Sequence, residues 1–319
     1  MDFIRRQKMS DINISVVIPV YRSEDCLDEL VKRLNDVLSD LDKTYEIILV
    51  NDCSPDGSWK KITELCKVYK CLKGINLRRN FGQDCAIMAG LNYSSGDKVV
   101  IMDDDLQHDP LDIPLLISEL DKEYDVCYAL FESKKQSLFK NFGSWFNGKV
   151  AEIVIKKPKA VYLSPYKAIK REVIDEITKY DGPYPYVDGL IFRVTRNITQ
   201  VKVEHHERYS GQGNYNLLKS IRVWLRLATN FSVFPLRIAT VLGFTASIIG
   251  FLLALYFILQ HIINGQAPIG WASMIVTILF IGGVQLIAIG AIGEYVGRLF
   301  IYYNKEPQFV IKEIIKENK

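Results

Sequence analysis

Residues 238–293 contain no Asp, Glu, Lys or Arg, and this uncharged stretch is the strongest constraint on how the chain folds. Two apolar runs lie within it, 238–260 and 271–293. As an α-helix each run would be about 34 Å long, which exceeds the hydrocarbon core of a bilayer at about 30 Å. A pair of buried core helices is the alternative, but soluble helices of this length nearly always carry a charged face. The stretch therefore predicts two transmembrane helices within residues 237–294.

The charges around the apolar runs predict an orientation. The linker HIINGQAPIG has no Lys or Arg, whereas the outer flanks carry basic residues, namely Arg222, Arg226, Arg237, Arg298 and Lys305. The positive-inside rule then places the large N-terminal part and the tail, residues 295–319, in the cytoplasm. Residues 216–236 combine apolar and basic positions at helical spacing, which is typical of an amphipathic helix at the membrane–water interface. A surface helix of the soluble part is the alternative for this segment.

Residues 1–215 alternate between strand and helix patterns and predict a cytoplasmic domain. Short apolar segments separated by amphipathic stretches read as strands, namely ISVVIPV, YEIILV, KGINL, DKVVIM and DVCYA. Ser23 is suited to cap the first helix. Strands of nearly continuous apolar character predict an α/β fold with a mostly parallel sheet and helices on both faces. In such sheets ligands bind beyond the carboxyl ends of the strands.

Three consecutive aspartates follow the strand DKVVIM. Because side chains alternate along an extended chain, Asp103, Asp105 and Gln107 should point to one side and Asp104 to the other. Two carboxylates and an amide oxygen suit Mg²⁺ or Mn²⁺, which complete their coordination with waters and substrate phosphates. A solvated acidic turn is the alternative, but it leaves the repulsion between Asp103 and Asp105 unexplained. The sequence thus predicts a divalent metal site at this strand end.

Composition and missing motifs exclude several functional classes. The formal net charge of +3 gives no reason to expect a nucleic-acid partner. The chain has neither the glycine pattern of a dinucleotide fold nor that of a P-loop. All six cysteines lie in the N-terminal part without a CxxC pair, which predicts free thiols in a reducing compartment.

Several motifs together resemble a known family. VVIPVYRSEDCL, ILVNDCSPDGS, LRRNFGQDCAIMAGL, MDDDLQHDP and GAIGEYVGRLF with KEPQFVI are similar to the family 2 glycosyltransferases that load sugars onto polyprenyl phosphates. The resemblance implies a GT-A fold and an integral enzyme of the bacterial cytoplasmic membrane whose active site faces the cytoplasm. It also implies inverting transfer of a sugar from a nucleotide-sugar donor, with a UDP-sugar expected, to undecaprenyl or another polyprenyl phosphate. GDP-mannose or a dTDP-sugar is the alternative donor.

The resemblance implies roles on the donor side. Pro19, Tyr21 and Asp52 match positions that contact the base and ribose. Asp103, Asp105 and Gln107 match the metal-binding pattern, and Asp104 lies near the donor. Arg208 matches an arginine that engages the diphosphate, so the implied catalytic set is Asp103, Asp104, Asp105 and Arg208. Asp188 stands where relatives often carry arginine, and we expect it to hang over the donor pocket and contribute to the choice of sugar.

Roles on the acceptor side are implied in the same way. Lys140 and Ser144 match a basic residue and a serine that bind the lipid phosphate, and on a helix their spacing puts both on one face. Phe131 occupies a place where arginine is common, so Lys134 or Lys135 is expected to substitute for it. Asn214 replaces a lysine that relatives usually have. A homo-oligomer is left open.

Two other functional classes are alternatives to a glycosyltransferase. A processive polysaccharide synthase normally needs more spans and a QxxRW motif, which the sequence lacks. A non-catalytic membrane scaffold does not need paired metal carboxylates. Both alternatives therefore explain less of the sequence than a glycosyltransferase does.

Overall fold

A computed structural model of the chain describes residues 12–131, 161–203, 234–264 and 270–316. The chain divides into two compact units. The first comprises Met1–Asn214 together with Lys305–Lys319, and the second comprises Tyr215–Asn304. Each unit is described by itself.

The described part of the first unit contains an eight-stranded sheet with the order β7-β5-β6-β4-β1-β2-β3-β8. Strands β6 and β8 run antiparallel to their neighbours, and the other pairings are parallel. The predicted α/β fold with a mostly parallel sheet is confirmed. The strands are β1 Ile14–Val20, β2 Tyr45–Asn51, β3 Leu72–Leu77, β4 Lys98–Ile101, β5 Val126–Phe131, β6 Lys167–Lys170, β7 Ile198–Val203 and β8 Ile311–Lys316.

Helices connect the parallel strands. Helix α1 buries Leu27, Leu30, Leu34 and Leu38, whose spacing places them along one face. Helix α3 is different, because nearly every residue from Cys85 onward is buried and no polar face marks it as a helix. The helices of this unit are α1 Leu27–Ser39, α2 Ser58–Val68, α3 Gln83–Tyr93, α4 Ile113–Asp121, α5 Arg171–Ile177 and α6 Val187–Val194, with a 3₁₀ turn at Pro110–Asp112.

The end of the chain returns to the sheet. Strand β8 pairs antiparallel with β3, and Ile314 lies opposite Ile75. The sequence did not predict this strand, because IKEIIK is short and half of its residues are charged. The sheet edge beside β3 is therefore covered by residues that follow the apolar stretch.

The second unit contains two long helices, α7 Phe234–Asn264 and α8 Trp271–Tyr303. Among the described residues, one segment, Phe280–Tyr303, is long and apolar enough to cross a membrane, with a mean hydropathy of 1.5. Ala239–Leu253 is apolar over a shorter length. The predicted pair of transmembrane helices is therefore not confirmed, and the second candidate lies further along the chain than residues 271–293.

A buried network at the amino edge of the sheet joins the second residues of β1, β2 and β3 to Ser95, which precedes β4. Glu46 Oε1 accepts hydrogen bonds from Ser15 Oγ (2.7 Å) and from the N–H and hydroxyl of Ser95 (2.6 and 2.7 Å). Lys73 Nζ donates to Glu46 Oε2 (3.0 Å). Burial by itself would raise the pKa of Glu46, but the Lys73 charge and the serine hydrogen bonds outweigh it and lower the pKa. Glu46 is thus held as a buried anion that stabilises the sheet.

We expect Lys73→Met to destabilise the protein, because it leaves the buried Glu46 carboxylate without its counter-ion. The loss should be about 3–5 kcal/mol, or about 6–20 °C in the thermal unfolding midpoint of the protein in detergent. Lys61→Met is the matched control, because Lys61 pairs with Asp28 at 2.9 Å on the surface and its loss should change the unfolding midpoint little.

The same pair gives a pH dependence. Since the folded pKa of Glu46 is lowered, its stabilising contribution is present above the unfolded pKa of about 4.3 and is lost as the pH falls through the folded pKa. The difference in unfolding midpoint between wild type and Lys73→Met should therefore shrink at acidic pH. A difference that stays constant from neutral pH down to about pH 3 would contradict this account.

Candidate active site

The loops at the carboxyl ends of the parallel strands have unusual backbone conformations. Arg22 after β1, Cys53 after β2 and Leu106 after β4 have φ values of 60°, 51° and 60°. Gly82, immediately before α3, has φ 96°. Non-glycine residues rarely adopt positive φ, and such strain clusters at functional sites where the surrounding structure holds it. Three of the six described non-glycine residues with positive φ lie at this edge of the sheet.

Asp104 ties the loop after β4 to the loop after β1. Its Oδ2 accepts hydrogen bonds from the Tyr21 N–H (3.1 Å) and from the Ser23 hydroxyl. Burial raises the pKa of Asp104 to about 6, although these hydrogen bonds oppose the shift. The expectation that Ser23 caps α1 is wrong, because Cys26 occupies the N-cap position without a side-chain bond and Ser23 bonds to Asp104 instead.

Asp103 is held from two sides. Gln83 Nε2, in the first turn of α3, donates to Asp103 Oδ1 (2.7 Å). The Asp103 N–H donates to His108 Nδ1 (3.2 Å), and the buried His108 ring stacks between Tyr166 and Phe131 at centroid distances of 5.1 and 5.4 Å. Phe131, where the resemblance leads one to expect arginine, thus packs on this histidine. These contacts fix the backbone and the carboxylate of Asp103 together.

Asp105 and Gln107 lie two residues further along the same loop. The Gln107 N–H donates to Asp105 Oδ1 (3.1 Å), and the side chains of Asp103, Asp105 and Gln107 are all half-buried. Within the described ranges, no group of three or more His, Cys, Asp or Glu side chains is placed to hold a metal ion. Two carboxylates and an amide still fit Mg²⁺ or Mn²⁺, because these ions commonly use one or two protein carboxylates and take their other ligands from water and phosphate.

Asp52, the residue after β2, organises the start of α3. It is 3% exposed, and its Oδ1 and Oδ2 accept hydrogen bonds from the N–H groups of Phe81 (2.7 Å) and Gly82 (2.9 Å). Burial raises the pKa of Asp52 against the lowering effect of these two bonds. The geometry makes Asp52 a residue that positions the loop before α3, and contact with a base or ribose stays a prediction.

The other predicted donor residues of the first strand differ in accessibility. Pro19 is buried within β1 opposite Val50, so its side chain does not reach the surface of the edge. Tyr21, two residues later, is 44% exposed, and the Arg22 guanidinium lies 5.4 Å from the centroid of its ring. Tyr21 is therefore the better placed of the two for stacking on a ligand.

Asp188, in the first turn of α6, belongs to a buried charge cluster. Its Oδ1 accepts hydrogen bonds from the Tyr128 hydroxyl (2.8 Å) and from Lys167 Nζ. Asp84 Oδ1 accepts a hydrogen bond from the Val187 N–H (3.1 Å), and burial raises the pKa of Asp84 to about 6. Asp188 is thus engaged by Lys167 and Tyr128, and its predicted place over a donor pocket stays a prediction.

Sequence reasoning missed several residues that this geometry brings to the site. Gln83, Asp84 and Lys167 each make a contact across the fold, with partners 20, 103 and 21 residues away in the chain. The segment NFGQDC belongs to one of the motifs that carry the family resemblance, but it contains no residue pattern that signals metal or phosphate binding. Lys167 opens the short strand KAIK, which has a lysine at each end, so no local signal sets Lys167 apart.

Several predicted residues lie outside the described residues. They are Lys134, Lys135, Lys140, Ser144, Arg208 and Asn214, together with residues 216–233 of the predicted interfacial helix. Their roles stay predictions.

Comparisons with known proteins identify the family to which this chain belongs. The family model described as glycosyl transferase family 2 matches residues 15–178. An uncharacterized glycosyltransferase from Synechocystis is 34% identical over 95% of this chain and 96% of that protein. An undecaprenyl-phosphate 4-deoxy-4-formamido-L-arabinose transferase from Proteus mirabilis is 32% identical over 96% of this chain and 95% of that protein.

A solved structure shows the same fold. The crystal structure of glucosyl-3-phosphoglycerate synthase from Mycobacterium tuberculosis, in complex with Mn²⁺, UDP-glucose and phosphoglyceric acid, aligns with a TM-score of 0.52. It is 18% identical and covers 68% of this chain and 78% of that chain, so the likeness concerns the GT-A fold alone. Membership in an enzyme family excludes the non-catalytic scaffold. The family model, the relatives and the sheet-edge carboxylates agree that this chain is an enzyme of glycosyl transferase family 2.

Proposed function

We propose that this enzyme transfers a sugar from a nucleotide sugar to a polyprenyl phosphate, with inversion at the anomeric carbon. The observation that carries the proposal is the carboxylate cluster at the carboxyl edge of a GT-A sheet, where Asp103, Asp104 and Asp105 are fixed by named contacts. Relatives such as the Proteus mirabilis enzyme support the proposed acceptor, since its name specifies undecaprenyl phosphate and its match extends over 96% of this chain.

The chemistry of the acceptor explains why the site needs no strong base. A phosphate monoester has a second pKa near 6, so its oxygen is largely ionised at neutral pH and is already a nucleophile. The enzyme must position this oxygen and screen its charge from that of the donor. A single displacement follows, without a covalent enzyme intermediate and without a catalytic His or Cys.

Stabilising the negative charge of the departing nucleoside diphosphate is a larger requirement than activating the acceptor oxygen. Asp103, Asp105 and Gln107 are the residues that we propose hold Mg²⁺ or Mn²⁺, and Arg208 is proposed to contact the diphosphate. A bound divalent ion would neutralise the charge that develops on the leaving group. Gln83 holds the Asp103 carboxylate through one oxygen (2.7 Å), which fixes the direction from which it meets a ligand.

We also propose that the second unit anchors the enzyme in the bacterial cytoplasmic membrane, with two spans and the active site facing the cytoplasm. Large apolar side chains on both long helices are highly exposed in the chain alone, including Phe244 at 69%, Phe251 at 70% and Leu286 at 71%. Apolar exposure on this scale is typical of a surface that meets lipid or another apolar partner. Residues 216–236 would lie at the interface, where a lipid phosphate is presented.

The transfer itself is the first test. Purified protein with undecaprenyl phosphate should move radiolabel from one nucleotide sugar into extractable lipid, with a UDP-sugar as the expected donor. GDP-mannose and dTDP-glucose form the second arm of the panel. Absence of lipid-linked label from every common nucleotide sugar, in a preparation that is folded by circular dichroism, would contradict the proposed function.

Metal dependence is the second expected outcome. Asp105→Asn should reduce kcat/KM by about 10²–10³, because the site loses a charge that holds the divalent ion against the diphosphate. Asp109→Asn is the matched control on the same loop, since Asp109 accepts a hydrogen bond from the Leu111 N–H (3.0 Å) and an amide oxygen can do the same. Mn²⁺ binding in the presence of UDP, followed by electron paramagnetic resonance, should be lost in Asp105→Asn and kept in the control.

The acceptor phosphate gives a third expected outcome. Lys140→Ala should raise the KM for undecaprenyl phosphate by about ten-fold or more while the KM for the nucleotide sugar changes little, because the lost charge faces one substrate only. Lys32→Ala, a lysine on α1, is a surface control. An equal rise in both KM values would reject the assignment of Lys140 to the acceptor.

A further inference from the structure

A buried ion pair lies beside the carboxylate cluster and is not needed by the proposed displacement. Lys167 is 3% exposed and donates to Asp188 Oδ1, which also accepts the Tyr128 hydroxyl (2.8 Å). The Lys167 ammonium lies 5.1 Å from the centroid of the Tyr128 ring. We propose that Lys167 is a positioning residue that fixes Asp188 to recognise hydroxyl or amino groups of the donor sugar. This inference rests on the proposed function.

The position of the pair in the sheet supports this role. Strand β6 runs antiparallel to β4, and Lys167 lies opposite Ile101, the last residue of β4. Asp103 follows only two residues later. The ion pair is therefore at the carboxyl edge of the sheet, where ligands of such folds bind, rather than at the opposite edge.

Two consecutive residues of α3 connect the pair to the carboxylate cluster. Gln83 donates to Asp103 Oδ1 (2.7 Å), and the neighbouring Asp84 accepts from the N–H of Val187 (3.1 Å), the residue before Asp188. A donor whose diphosphate lies near Asp103 would bring its sugar toward the start of α6. The first turn of α3 thus sets the spacing between the two ends of one ligand.

The hydrogen-bonding pattern indicates what the pair recognises. Lys167 and Tyr128 both donate to Oδ1 of Asp188, and within the described residues no donor reaches Oδ2. Asp84 interacts electrostatically with both Asp188 and Lys167, so the cluster holds two carboxylates and one ammonium and offers more acceptor than donor capacity. Such a cluster suits a neutral or amino sugar, whose hydroxyl or amino groups donate hydrogen bonds, and disfavours a uronic acid.

Burial explains why Lys167 is required rather than incidental. Asp188 is 15% exposed in its side chain, so its largely buried carboxylate requires a counter-ion, which Lys167 supplies. The Lys167 ammonium also fixes which oxygen of Asp188 is engaged. Removing Lys167 should then damage sugar recognition as much as removing the Asp188 charge does.

The test compares binding of a nucleotide sugar with binding of its own nucleoside diphosphate by isothermal titration calorimetry. UDP-glucose with UDP is the first probe pair, and GDP-mannose with GDP is used if the transfer assay selects it. In Lys167→Met, affinity for the nucleotide sugar should fall about ten- to a hundred-fold while affinity for the nucleoside diphosphate stays unchanged. Asp188→Asn should give the same pattern, and the double variant should be no worse than either single one.

Controls separate positioning from general destabilisation. Lys170→Met changes a lysine at the other end of β6, whose Nζ lies 3.9 Å from Asp125, and should leave both affinities intact. Lys167→Arg should restore most of the sugar affinity. If Lys167→Met cannot be recovered folded, Tyr128→Phe decides, because it removes one donor to Asp188 and keeps the ring over Lys167.

Each outcome has a distinct meaning. Equal loss of both affinities, or a lower unfolding midpoint with an unchanged affinity ratio, would overturn the positioning role and make the pair structural. An unchanged ratio in Tyr128→Phe would do the same where Lys167→Met does not fold. Failure of the wild type to bind any nucleoside diphosphate or to transfer sugar would instead reject the proposed function.

Discussion

The bidentate capture of two backbone N–H groups by Asp52 is the interaction on which the rest of the site depends. With both oxygens of Asp52 bonded to Phe81 and Gly82, the chain is forced into α3 at a defined point after β3. The next residues, Gln83 and Asp84, then hold Asp103 and the start of α6. Asp52 therefore fixes the start of α3, from which Gln83 and Asp84 contact two separate parts of the site. Both oxygens of Asp52 are themselves bonded to backbone N–H groups.

The pKa values of buried acidic residues are shifted in opposite directions at the two edges of the sheet. At the amino edge, Glu46 is paired with Lys73 and hydrogen-bonded by serines, and these contacts lower its pKa despite burial. At the carboxyl edge, burial raises the pKa of Asp84 and Asp104, each to about 6. Carboxylates whose charge is not fully compensated by the protein are suited to a cationic or hydrogen-bond-donating ligand. The amino edge thus holds an anion compensated within the protein, whereas the carboxyl edge holds the carboxylates that we propose meet a ligand.

The local sequence pattern predicted the elements whose structure depends mainly on residues close together in the chain. The predicted strand ISVVIPV is β1 Ile14–Val20, because a short, continuous apolar run bounded by polar residues is typical of a strand buried on both faces of a sheet. Helix α3 was missed because burial on all sides removes the periodicity by which a helix is detected. The aspartates at the end of β4 were identified, but Lys167 was not, since its importance arises from pairing between β6 and β4, segments far apart in the chain. The contacts of Arg208 and Lys140 lie beyond the described residues.

The described histidine near the carboxylates has a structural role. Within the described ranges, His108 uses Nδ1 to accept the Asp103 N–H and packs its ring between Tyr166 and Phe131. A ring fixed in this way stabilises the loop that carries the proposed metal residues. Under the proposed function the acceptor is a phosphate monoester, whose oxygen is largely ionised near neutral pH and needs no histidine as a base. The proposed acceptor and the proposed displacement without a base therefore rest on the same acid–base chemistry.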